Sequence, residues 1–85
     1  MKVSIRFFAS IKEALKKDHI DLEIPDSIKT IGDLKEYLAK QDAISTEVFG
    51  AHKNIRAAQD LKMVSMDTPI RAGAEIAFFP PVTGG

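Results

Sequence analysis

Residues 75–81, Glu75-Ile76-Ala77-Phe78-Phe79-Pro80-Pro81, decide how the rest of the chain is to be arranged. The apolar run up to Phe79 reads as a strand, and the two prolines must end it because neither nitrogen can donate to a ladder. Adjacent strand residues point to opposite faces, so Phe78 and Phe79 cannot both be buried in one core. One ring belongs inside and the other outside. The opening stretch, Lys2 to Phe8 (KVSIRFF), alternates in the same way, with Val3, Ile5 and Phe7 on one face and Lys2, Ser4 and Arg6 on the other. Phe8 falls on the polar face. Both segments are strongly apolar, which favours a parallel pair of first and last strands at the centre of one sheet, where both faces are best shielded.

Between them the chain reads strand, short helix, strand, longer helix and further short strands. Ser10-Ile11-Lys12-Glu13 has the capping-box pattern and predicts a short helix over about 11–17, with Ile11, Ala14 and Leu15 inward and Lys12, Lys16 and Lys17 solvated. His19 to Ile24 alternates as a second strand, closed by Pro25-Asp26-Ser27. Thr30-Ile31-Gly32-Asp33 offers a second capping pattern ahead of a helix over about 31–41, with Leu34, Tyr37, Leu38 and Gln41 as its inward stripe. Residues 42–54 read as a loop with at most one helical turn. Residues 55–60 and 61–65 carry weak strand signals, Met63 and Met66 are expected to fill core gaps, and turns follow at Asp67-Thr68-Pro69 and Ala72-Gly73. This is an α+β plan in which a mixed sheet wraps one main helix, with an extra short helix after the first strand.

Composition narrows the function. Eighty-five residues make one domain, and 45% apolar with 28% charged residues is ordinary for a folded one. Twelve basic residues balance twelve acidic ones, so no whole-chain basic field exists to collect phosphates, and nucleic acid is not an expected partner. The absence of cysteine removes disulfides, thiolate metal sites and thiol nucleophiles. His19 and His52 lie far apart with no HxxxH or HExxH arrangement, so no metal site is expected. No signal-peptide core or membrane-length apolar run is present, which leads us to expect a cytoplasmic protein with no membrane partner.

The chain closes on Pro80-Pro81-Val82-Thr83-Gly84-Gly85. Two prolines favour extended polyproline II geometry, and two glycines let backbone pass where a side chain would clash. We therefore expect a folded domain over 1–79 and a flexible tail over 80–85. Two readings of that tail stand side by side. In one it is a frayed terminus. In the other it delivers the Gly85 carboxylate as an unhindered acyl group, which adenylation would turn into a donor that a sulfur nucleophile can attack.

The ending AFFPPVTGG, the opening IRFFASIKE and the stretch MVSMDTPIRAGAEI, in that order and spacing, resemble the small sulfur-carrier subunits of molybdopterin synthase, a ubiquitin-like β-grasp family. The resemblance covers nearly the whole chain, and FFPPVTGG is its most specific part. It implies that an adenylyltransferase related to ubiquitin-activating enzymes uses ATP to form an acyl-adenylate at Gly85, beside Gly84, and that sulfur transfer then gives a thiocarboxylate. It further implies that the tail enters a pocket of the large synthase subunit, in a heterotetramer of two small and two large chains, and passes sulfur to a cyclic pyranopterin phosphate to build the dithiolene. No cofactor is bound by the small subunit itself, which is not an enzyme on its own. By the same resemblance Phe8, Phe78, Phe79, Pro80, Pro81, Val82 and Thr83 are partner-binding positions, because the interface is apolar around the base of the tail. Lys12-Glu13 stands where the family often has Arg-Glu, so no salt bridge from that helix is carried over. The rival readings are a carrier for thiamine synthesis or tRNA thiolation, a modifier joined to other proteins through Gly85, and a plain interaction module.

Overall fold

The computed structural model describes residues 1–50 and 54–81. Its elements are β1 (Lys2–Phe7), α1 (Ala9–Leu15), β2 (His19–Glu23), α2 (Ile31–Ala39), α3 (Ala43–Phe49), β3 (Arg56–Gln59), β4 (Lys62–Val64) and β5 (Glu75–Phe79). The five strands form one sheet in the order β2-β1-β5-β3-β4. β1 and β5 pair in parallel, from Ser4 opposite Glu75 to Phe7 opposite Phe78, as the two apolar segments predict. The other pairings, β1 with β2, β3 with β5 and β3 with β4, are antiparallel.

The alternation in these strands decides which face is covered. Val3, Ile5, Phe7, Ala57, Ile76 and Phe78 are all at most 3% exposed and meet Ile31, Leu34 and Leu38 of α2 on one side of the sheet. Burying side chains of this size stabilises by roughly 1.5–3 kcal/mol each. Helix α2 starts where the sequence places it, because the Thr30 hydroxyl accepts from the Asp33 amide at 3.1 Å and the Asp33 carboxylate accepts from the Thr30 amide at 3.2 Å. The Lys29 amide also donates to Asp33, at 3.1 Å. Gly32 sits in the first turn for a packing reason. A Cβ there would lie 3.1 Å from the Met66 carbonyl oxygen, which already accepts from the Gly32 amide at 2.8 Å.

Several expectations need correction. Residues 43–49 form α3 rather than a loop: the Asp42 carboxylate caps it by accepting from the Ser45 amide at 2.7 Å, and Phe49, 2% exposed, is drawn into the core. The Phe49 ring lies edge-on to Phe78 with centroids 5.5 Å apart and 6.1 Å from Phe7. Ser10 and Glu13 do not form a capping box, because α1 begins at Ala9 with Phe8 as an N-cap that has no side-chain bond. The Phe8 amide is still in the sheet, donating to the Phe78 carbonyl at 3.2 Å, so the chain turns at once through a left-handed Ala9 (φ 52°) and enters the helix early. The helix then ends at Leu15, with a left-handed Lys16 as its C-cap, two residues short of Lys17. Gln41 is exposed beyond the end of α2. Met63 is 63% exposed and fills no core gap, while Met66 packs against the core as expected.

Candidate functional site

The sheet has a second face, and the same alternation that fills the core determines what lies on it. With Ile76 and Phe78 inward, Ala77 and Phe79 stand outward on β5. With Ala57 inward, Arg56 and Ala58 stand outward on β3. Met63 pairs directly with Ala58, and residues opposite one another in an antiparallel pair share a face. Phe8 follows Phe7 in an extended conformation (φ −128°, ψ 155°), so it keeps the alternation and joins this outer face beside Phe79. The result is an apolar area made of Phe8, Phe79, Ala77, Ala58 and Met63. Phe8 is 46% exposed and Phe79 is half-buried.

Charge frames this area. Arg6 reaches Glu75 across the parallel ladder at 3.3 Å, and Arg56 lies opposite Phe79 on the neighbouring strand. Pro80 and Pro81 leave the sheet at the edge of the apolar area. Two open grooves meet at Pro81, one of about 530 Å³ running over Ile11, Ala14, Ile44 and Val48, the other of about 440 Å³ along Arg56, Val64 and Met66. Ile44 on α3 is itself 54% exposed.

Of the residues expected to contact a partner, the structure brings Phe8, Phe79, Pro80 and Pro81 to one end of the sheet. Phe78 is a correction: it is fully buried, pressed against Phe49 beneath the central strand, and has no surface to offer. Val82, Thr83, Gly84 and Gly85 lie outside the described residues, as does His52. Met63, Ala58 and Ala77 were missed by sequence reasoning. The weak strand signals over 55–65 left the register open, and only the pairing of Ala58 with Met63 shows which side that methionine takes.

The carboxylates whose titration is shifted are held by structural bonds. Four aspartates are held below the ordinary carboxylate value of 3.8, each by a structural bond. Asp18 accepts from His19, Asp33 from the Lys29 and Thr30 amides, Asp42 from the Ser45 amide, and Asp60 from the Glu75 amide and then Arg71. Among the described residues no group of three metal-ligating side chains comes together, and no helix is long and apolar enough to cross a membrane. What the arrangement offers is an exposed apolar area at whose edge Pro80 and Pro81 leave the sheet.

A family model described as the ThiS family matches residues 5–85. The chain belongs to the ThiS family. Among similar proteins, the molybdopterin synthase sulfur carrier subunit of Escherichia coli is 34% identical over 86 residues, spanning 98% of this chain and 99% of that one. The ubiquitin-like β-grasp architecture is shared with the crystal structure of small archaeal modifier protein 1 of Haloferax volcanii. The two superpose with a TM-score of 0.76 at 23% identity, over 95% of this chain and 98% of that one. A Helicobacter pylori structure, a complex of subunits 1 and 2 of molybdopterin-converting factor, contains a chain that matches with a TM-score of 0.66 at 24% identity, over 100% of both chains. In this ThiS-family member the stretch FFPPVTGG begins on the strand that carries both the core ring Phe78 and the surface ring Phe79.

Proposed function

We propose that this chain is the sulfur-carrier subunit of a molybdopterin synthase and that its reactive group is the carboxylate of Gly85. The observation that carries this reading is the apolar outer face of Phe8, Phe79 and Met63 at the root of Pro80-Pro81. It offers a docking surface beside the point where Pro80 and Pro81 leave the sheet. Near full-length similarity to a sulfur carrier subunit of molybdopterin synthase, and a structural likeness to a chain in a complex of subunits 1 and 2 of molybdopterin-converting factor, support the large subunit of that enzyme as the partner.

The chemistry is acyl transfer on the main chain. ATP adenylates the Gly85 carboxylate, releasing pyrophosphate. A sulfide-level nucleophile, HS⁻, then attacks the acyl carbon, forming a C–S bond as the C–O bond to AMP breaks, so that AMP and a proton leave and a thiocarboxylate remains. An adenylyltransferase supplies the activation, and the large subunit supplies the pterin pocket, so this chain turns nothing over alone. Gly84 keeps the approach to the acyl carbon free of a side chain. A domain over 1–79 serves as the handle and 80–85 as the delivery arm, in an assembly of two small and two large chains.

Mass spectrometry after incubation with ATP, the activating enzyme and a sulfur donor tests the carrier role. The expected result is a gain equal to exchange of one oxygen for sulfur, located on Gly85; an unchanged mass overturns the reading. Thiocarboxylated protein with an active large subunit should then convert cyclic pyranopterin phosphate to molybdopterin. A charged carrier that fails this conversion belongs to another thiolation pathway. Removal of Gly85 should abolish the mass gain without lowering Tm.

A further inference from the structure

The loop between β3 and β4 is a two-residue hairpin, since Gln59 pairs with Lys62 and only Asp60 and Leu61 lie between them. Both have left-handed backbones, with φ of 50° and 71°. Such turns match the twist of the strands they join, and they normally carry Asn, Asp or Gly because those residues tolerate positive φ. Asp60 fits that rule. A bulky leucine at φ 71° is an outlier, and Leu61 gains no burial in exchange, being 93% exposed.

The surroundings hold this conformation in place. The Asp60 carboxylate accepts from the Glu75 amide at 3.1 Å and from the Arg71 guanidinium at 2.9 and 2.6 Å. The Gln59 side chain donates to the Pro69 carbonyl at 3.1 Å and accepts from the Arg71 amide at 2.9 Å. Strain kept by an over-determined surrounding, at an exposed apolar side chain, is the signature of a residue positioned for contact. Leu61 is also two residues from Met63, which with Ala58 forms the end of the apolar area nearest the hairpin. From Phe79 the strand runs back four residues to Glu75, about 13 Å at 3.3 Å per residue, to reach the level of the hairpin.

We propose that Leu61 is an anchor that enters an apolar socket of the partner covering the outer sheet face, so that this partner spans the sheet from Phe8 and Phe79 to the β3–β4 hairpin. The inference rests on the large synthase subunit being that partner. Its measurement uses that subunit from the same source as the probe, with binding followed by surface plasmon resonance and folding by thermal melting. Leu61→Asn and Leu61→Gly relieve the backbone strain and should raise Tm by a few degrees. The same substitutions should weaken binding about tenfold, chiefly through faster dissociation. Leu61→Met keeps the apolar contact and should bind within threefold of wild type. Leu61→Asn binding within twofold of wild type overturns the anchor role while leaving the carrier reading intact. A wild-type protein that does not bind the large subunit overturns both. Leu61-dependent self-association in sedimentation would assign the socket to a second copy of this chain and overturn the proposal as stated.

Discussion

Phe8 and Phe78 are joined by a single hydrogen bond, from the Phe8 amide to the Phe78 carbonyl at 3.2 Å, yet their side chains have opposite fates. Phe78 is fully buried and Phe8 is 46% exposed. The bond carries the β1–β5 ladder one residue past the last core pair and so delivers Phe8 to the outer face beside Phe79. Phe78→Ala should cost about 3–5 kcal/mol in urea denaturation, since the ring packs on Phe49 with no exposed surface. Phe8→Ala should change stability by less than about 0.5 kcal/mol and weaken binding of the large subunit about tenfold. Equal stability losses for the two variants would contradict the assignment of faces.

Phe49 is the ring that ties helix α3 to the core. Phe49→Ala should lower stability by about 3–5 kcal/mol. It should also release the Thr46 amide, which donates to the Asp42 carbonyl at 2.9 Å, to fast hydrogen exchange. Retained protection at Thr46 in the variant would show that α3 stands without its core contact.

Gly32 occupies a helical position where alanine is intrinsically better by about 1 kcal/mol. Here the gain is offset, because the new Cβ would press at 3.1 Å on the Met66 carbonyl, whose retreat would stretch its 2.8 Å bond from the Gly32 amide. Gly32→Ala should therefore lower Tm, and a higher Tm would show that the Met66 segment yields.

Acid should loosen the fold in a defined window. Asp33, Asp42 and Asp60 are each depressed below 3.8 by bonds made only in the folded chain. Their contribution is complete above the unfolded value and is lost as pH falls through the lower folded values, so Tm should hold near neutrality and decline below about pH 4. Asp60→Asn keeps a side chain that accepts positive φ but removes the charge on which the Arg71 contact depends. Its Tm should be a few degrees below wild type at neutral pH, and the gap should close in acid as the wild-type carboxylate protonates. A gap that persists unchanged in acid would mean that charge is not what holds the hairpin.

Much of this protein is written in local chemistry. The Thr30 and Asp33 capping pair, the period-two alternation of β1 and β5, and the two prolines act over a few residues, and each is found where the sequence places it. The rule that Phe78 and Phe79 must part follows from strand geometry alone. Which of them turns inward does not, because that depends on the register of β5 against β1 and on Phe49 arriving from a helix whose own pattern is weak. The Ser10 and Glu13 signal was overridden for a related reason. A ladder bond to Phe78 holds Phe8 in the sheet, and the chain has to turn at Ala9 before any cap at Ser10 can form.

The sequence by itself determined the strands and the first two helices, the family, and an apolar approach to the two glycines, because periodicity, turn chemistry and motif are properties of short segments. Tertiary structure alone decided that Met63 and Phe8 share a surface with Phe79, and that Leu61 is held in a strained turn. Those outcomes arise from pairings between residues far apart in the chain, where one step of register moves a side chain from the core to the surface.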